Sequence, residues 1–151
     1  FWESPPQAVT KITLTQGEQS LELLRNQDGE WTRTGQPLTE AQREKIPTAL
    51  GALGRLQAAR WTARGADKLA TYEIIQRKKS ITLELQHNGQ TLTRKIQFGK
   101  QSELFNFFAF ATDPLEQEAV VFECPLNTYN ACEIILFPLL TPAPPNSGAD
   151  Q

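Results

Sequence analysis

Two alternating runs meet at an Asn-Gly pair, and no other feature limits the fold of this chain as tightly. Ser80-Ile81-Thr82-Leu83-Glu84-Leu85-Gln86-His87 and the stretch from Gln90 to Phe98 carry apolar residues at nearly every second position, and Asn88-Gly89 joins them. Period-2 alternation belongs to a strand with one face buried and one face wet. Asn-Gly suits a type I′ turn because both central residues must accept positive φ. The pattern predicts a β-hairpin, so the chain needs a sheet and something apolar to cover it.

The rest of the sequence supplies both. Val9 to Thr15, Ser20 to Leu24 and Glu30 to Thr34 read as three strands, punctuated by Gly17 and by Asp28-Gly29. Thr39-Glu40-Ala41-Gln42 is a capping box, in which the Thr39 hydroxyl and the Gln42 side chain satisfy each other's backbone N–H groups. Ile46, Leu50, Leu53 and Leu56 follow at spacings of three and four, so a helix is expected over about 39–56 with one apolar face. Pro47 should bend or interrupt it by removing one backbone bond, and Gly51 and Gly54 weaken it further. A short strand is expected over 58–63, helical turns over 66–72, a strand pair at 105–112 and 118–123, and a short helix within 127–137. Strands in runs, interrupted by helices, define an α+β fold: a mostly antiparallel sheet with the 39–56 helix packed on one face.

A chain of 151 residues is long enough for one domain with its own core. We place that domain at residues 9–140, after a linker at 1–8 and before a Pro-rich polar tail at 141–151 that is expected to be disordered. Fifteen Lys and Arg against 17 Asp and Glu give no general electrostatic reason to expect nucleic acid or an anionic membrane as partner. The sequence holds no Met, which suggests a processed or excised piece, and no apolar run of bilayer-spanning length. Phe1-Trp2-Glu3-Ser4-Pro5-Pro6 fits the exit of a removed anchor helix, or else an ordinary terminus with two packed aromatics.

Catalytic and cofactor chemistry finds little to stand on. The single histidine, His87, abuts the hairpin turn, where neither a third orienting group nor shielding from water is expected. Cys124, Cys132 and His87 do not match a compact zinc-ligand spacing, and no Gly-rich phosphate loop links a strand to a helix. Nothing singles out a carboxylate pair. We therefore expect no enzyme activity, no metal and no cofactor.

Three groups of residues invite other roles. Cys124 at a strand end and Cys132 in the following helix form a candidate disulfide, since the chain reversal can bring their Cα atoms to bridging distance; otherwise they are two small buried thiols. Phe105, Phe107, Phe108 and Phe110 place large aromatics on both faces of one strand, which is either covered twice or leaves an aromatic row exposed for a partner. Arg77-Lys78-Lys79 is a small basic cluster, either solvated or laid against lipid head groups.

The succession of elements resembles an extracytoplasmic bacterial family, domain-of-unknown-function family 4340, found beside ABC transporters of the gliding-motility type. The likeness rests on Phe1-Trp2-Glu3, on Gly29, Trp31 and Pro37, and on the spaced Leu50, Leu53 and Leu56. Leu69 with Tyr72, the hairpin from Ile81 to Gly99, and Val120-Val121-Phe122 before a terminal helix complete it. Tyr72 is followed here by Glu73-Ile74-Ile75 where the family has Gly-Leu and a nearby Pro. The resemblance implies a membrane-tethered extracytoplasmic domain, periplasmic or equivalent, that acts through protein partners, and it supplies no catalytic residues. An alternative reading is a small-molecule or glycan module with a cleft lined by Trp31, Trp61 or the Phe105–Phe110 run.

Overall fold

The computed structural model describes residues 8–26, 29–33, 38–54, 60–64, 72–87, 89–103, 105–113 and 118–140. Eight strands form one sheet: β1 (Val9–Gln16), β2 (Gln19–Arg25), β3 (Trp31–Arg33), β4 (Arg60–Arg64), β5 (Lys79–His87), β6 (Gln90–Gln101), β7 (Phe107–Asp113) and β8 (Glu118–Cys124). Their order across the sheet is β3-β2-β1-β5-β6-β7-β8-β4, and every neighbouring pair is antiparallel. The predicted hairpin is its centre: β5 and β6 stay in register from Lys79 opposite Phe98 to His87 opposite Gln90, which leaves a two-residue loop with Gly89 at φ 78°.

The main helix, α1, runs from Glu40 to Gly54. Its capping box forms as read: the Gln42 N–H donates to Thr39 Oγ1 at 3.1 Å, and the Thr39 N–H donates to Gln42 Oε1 at 2.8 Å. Pro47 lies inside the helix without dividing it. It sits on the exposed side of the helix. Ile46, Ala49, Leu50 and Leu53 turn inward.

Alternation sorts the strand residues onto two faces. Ile12, Leu14, Leu23, Ile81, Leu83, Ile96, Phe98, Ala109, Phe122 and Cys124 enter one core with the inner side of α1. The C-terminal segment closes it: α3 (Leu126–Ala131) passes into a wide π turn at Cys132–Leu136 and a tight 3₁₀ turn at Phe137–Leu140. Tyr129, Cys132, Leu136, Phe137, Leu139 and Leu140 belong to the same core. Arg33 donates to the Leu139 carbonyl at 2.8 Å, tying the end of the segment to the short edge strand β3.

The opposite face is polar over β1, β2 and β5, where Lys11 bridges Glu22 at 3.1 Å and Glu84 at 3.4 Å. Over β7 and β8 it carries a small second cluster of Ile74, Phe110 and Val121, with Tyr72 packed against it. Ile74 begins α2 (Ile74–Arg77), a single helical turn bracketed by Glu73 at φ 59° and Lys78 at φ 48°, both left-handed. Helical turns expected over 66–72 lie almost wholly outside the described residues, as do the linker through residue 7 and the tail from 141.

Gly99 lets α2 sit so close. A Cβ there would stand 2.1 Å from the Tyr72 carbonyl oxygen, which accepts from the Lys100 N–H at 2.9 Å. Any side chain at position 99 would push Tyr72 off the sheet.

Candidate partner surface

The Phe run carries packing contacts on both faces, with Phe107 and Phe108 half-buried and Phe110 buried. Phe107 enters the main core and stacks on Tyr129, with ring centroids 3.6 Å apart and planes 11° apart. Phe108 meets the Tyr72 ring at 4.4 Å, and Phe110 lies buried beneath Ile74. Three of the four aromatics proposed as a partner surface are thus packing residues. Covering both faces of β7 requires α2 on one side and α3 on the other.

Phe105 differs. It precedes β7 in the connection from β6, it is 68% exposed, and its φ is 67°. A left-handed backbone costs an L-residue about 1–2 kcal/mol, so the surroundings must hold it there. They do so with a ring of hydrogen bonds. The Ser102 N–H donates to the Asn106 carbonyl at 2.7 Å, the Phe105 N–H donates to the Ser102 carbonyl at 3.0 Å, and Gln101 Nε2 donates to the Phe105 carbonyl at 3.0 Å. Below the turn, Asn106 Oδ1 accepts from the Leu126 N–H at 3.1 Å, and Ser102 Oγ donates to Glu123 at 2.5 Å. The Glu123 carboxylate is buried, so the turn is anchored to the interior as well as to itself.

Arg77, Lys78 and Lys79 stand at the same end of the sheet but do not act as one basic patch. Arg77 pairs with Glu73 at 3.3 Å. Lys78 is exposed, and its carbonyl accepts from the Gly17 N–H at 3.0 Å. The Lys79 side chain is only 11% exposed: it pairs with Glu133, donates to Tyr129 Oη at 2.9 Å and lies over the Phe137 ring at 4.7 Å. Burial works against the Lys79 charge, but the hydrogen bonds to Glu133 and Tyr129 outweigh it and hold the ammonium above its ordinary pKa. Lys79 therefore ties β5 to the C-terminal segment. Arg94 was also missed as an interior residue, although its place between Leu92 and Ile96 in the alternation points it inward, where it is buried.

The expected disulfide is not formed in this structure: Cys124 and Cys132 are free thiols, both fully buried. The reversal from β8 into α3 does bring them into one core, where each fills a small apolar space. Burial pushes Cys124 up to about 12, against the pull of the Tyr129 backbone N–H beside it. Cys132 is pushed up further, first by burial and then by Cys124 and Glu133.

Of the alternative cleft, Trp31 is present at a shallow open depression of about 270 Å³, lined also by Gly29, Glu30, Glu40, Arg43 and Glu44. Only 4% of Trp31 is exposed, so it contributes an edge and no stacking platform. Trp61 pairs through its backbone with Phe122, and His87 with Gln90; their side chains lie outside the described part. Among the described residues no group of three or more His, Cys, Asp or Glu converges as a metal site would require. No helix among them is long and apolar enough to cross a membrane.

The class these observations define is an α+β domain whose antiparallel sheet, among the described residues, packs one face into the main core and carries a small second cluster at one corner of the other. Compared against protein families, curated proteins and solved structures, the chain finds no match.

Proposed function

We propose that this chain is a non-catalytic extracytoplasmic interaction domain of a membrane-anchored bacterial protein, accessory to an ABC-type transporter or an envelope assembly. The resemblance to family 4340 motivates the setting, and the Phe105 turn carries the interaction. An exposed aromatic held in a strained backbone by a closed set of hydrogen bonds is already ordered before a partner arrives. Aromatic anchors of this kind dominate binding energy at protein interfaces, and an ordered anchor loses little entropy on docking. Burying the ring would contribute about 2 kcal/mol.

The test is cross-linking of the full-length protein in its native membrane, with Phe105→Asn beside the wild type. Asn tolerates a left-handed φ, so the variant should keep its Tm. Transporter or envelope subunits should be captured by the wild type, with cross-links at Lys78 and Lys100, and lost with the variant. Capture that is indifferent to Phe105, or recovery of the protein alone, would sink the proposal.

A second reading, a small-molecule or glycan module, draws on the depression beside Trp31. A saturable ligand response removed by Trp31→Phe would favour it over protein contact.

A further inference from the structure

We propose that Cys124 and Cys132 are a folding-gated dithiol, which is bridged while the C-terminal segment is undocked and is sealed against exchange once that segment packs. The proposal is independent of the function above.

The geometry places the two thiols on either side of one aromatic contact. Cys124 pairs across the sheet with Phe107. Phe107 stacks on Tyr129, and Cys132 follows Tyr129 by three residues, on the same buried face of the helical segment. The Cys124 thiol donates to the Pro125 carbonyl at 3.7 Å, and the Tyr129 N–H donates to the same carbonyl at 3.0 Å, so the thiol sits at the first turn of α3. Between them the chain makes only α3 and its entry at Pro125, so the loop to be closed is short.

Closure needs an oxidant, and a disulfide donor supplies it. A thiolate from one cysteine attacks a sulfur of the donor, forming a mixed disulfide and releasing one donor thiol. The second cysteine then attacks its partner, forming the Sγ–Sγ bond and releasing the other donor thiol. Two protons and two electrons pass from the cysteines to the donor. Neither attack can begin in the docked state: both thiols are fully buried and held protonated, and no donor reaches them. The segment has to open first, and the reaction then competes with redocking.

The experiment uses the wild-type chain. One sample is refolded from denaturant in a mixture of oxidised and reduced glutathione. A second is folded under reducing conditions and then moved to the same mixture. Both are later denatured, alkylated without reductant and weighed intact. The refolded sample should come out two hydrogens lighter and unlabelled, with a peptide map joining Cys124 to Cys132. The prefolded sample should oxidise on the order of 100-fold more slowly, and faster in sub-denaturing urea. Two labels on the refolded sample, a glutathione adduct or an intermolecular dimer would overturn the pairing. Equal rates in the two samples would overturn the gate. Leu136→Ala, which loosens the covering segment, should speed oxidation of the prefolded protein; no acceleration with a lowered Tm would also count against the gate.

Discussion

The two faces of the sheet solve the burial problem at different scales. One is apolar from β2 to β8 and is roofed by α1 together with the C-terminal segment. The other is polar over its larger part and apolar only at the corner where Tyr72 and Ile74 rest on Phe108, Phe110 and Val121. The large face tolerates no single loss cheaply, because each side chain is enclosed by neighbours from several elements. The corner depends on one helical turn and on one glycine.

Substitutions should separate the two. Phe122→Ala, in the main core, is expected to cost about 3–5 kcal/mol, read by denaturant unfolding. A loss no larger than that of a corner residue would break the contrast. Gly99→Ala should cost roughly 1–3 kcal/mol through overpacking, with amide exchange rising around Tyr72 to Lys78 and little changed in α1. Ile74→Ala should fall near 2 kcal/mol, the low end for such a truncation, because a single turn can settle into the space. Its effect should be less than additive with Gly99→Ala, as both displace the same turn.

Alkaline pH tests chiefly the large face, since Lys11 on the open face is raised only by solvated partners. Lys79, Tyr129, Cys124 and Cys132 are all held above their ordinary values of 10.5, 10.0, 9.0 and 9.0. A raised folded pKa means the fold binds the proton more tightly, so its stabilisation is complete below the ordinary value and is lost as pH climbs toward the folded one. The reduced protein should therefore weaken from about pH 9 upward, as followed by Tm. Cys124→Ala with Cys132→Ala should flatten the first part of that decline, and Glu133→Gln the later part. A flat profile to pH 11 would contradict the enclosure of this cluster. The smallest effect belongs to the open face: Lys11→Ala removes both bridges to Glu22 and Glu84, yet these groups are solvated, and no measurable change in Tm is expected.

What could be read from the chain followed from local rules. Alternation located the strands to within two or three residues, Asn88-Gly89 fixed the central hairpin, and Thr39 with Gln42 marked the start of α1. Whether Pro47 divides the helix was not legible, because that depends on tertiary packing; α1 runs through it from Glu40 to Gly54. The Phe105–Phe110 run was legible as apolar, but not as three packing residues and one exposed turn residue. That division depends on where α2 and α3 land. Lys79 looked like part of a solvated basic run because its partners, Tyr129 and Glu133, are about fifty residues away in sequence. Likewise the hydrogen bonds that hold Phe105 out reach across to Glu123 and Leu126, beyond any local window.

The bond from Arg33 to the Leu139 carbonyl joins residues 106 positions apart. The roof over the first strands is thus made from the last described residues, and during synthesis β1 and β2 must wait for them. At about 5–20 residues per second, the apolar side of these strands stays open for several seconds after it leaves the ribosome. A chain stopped before α3 would contain the eight described strands and α1 but only half of the roof, so the final segment completes the enclosure of a sheet already synthesised.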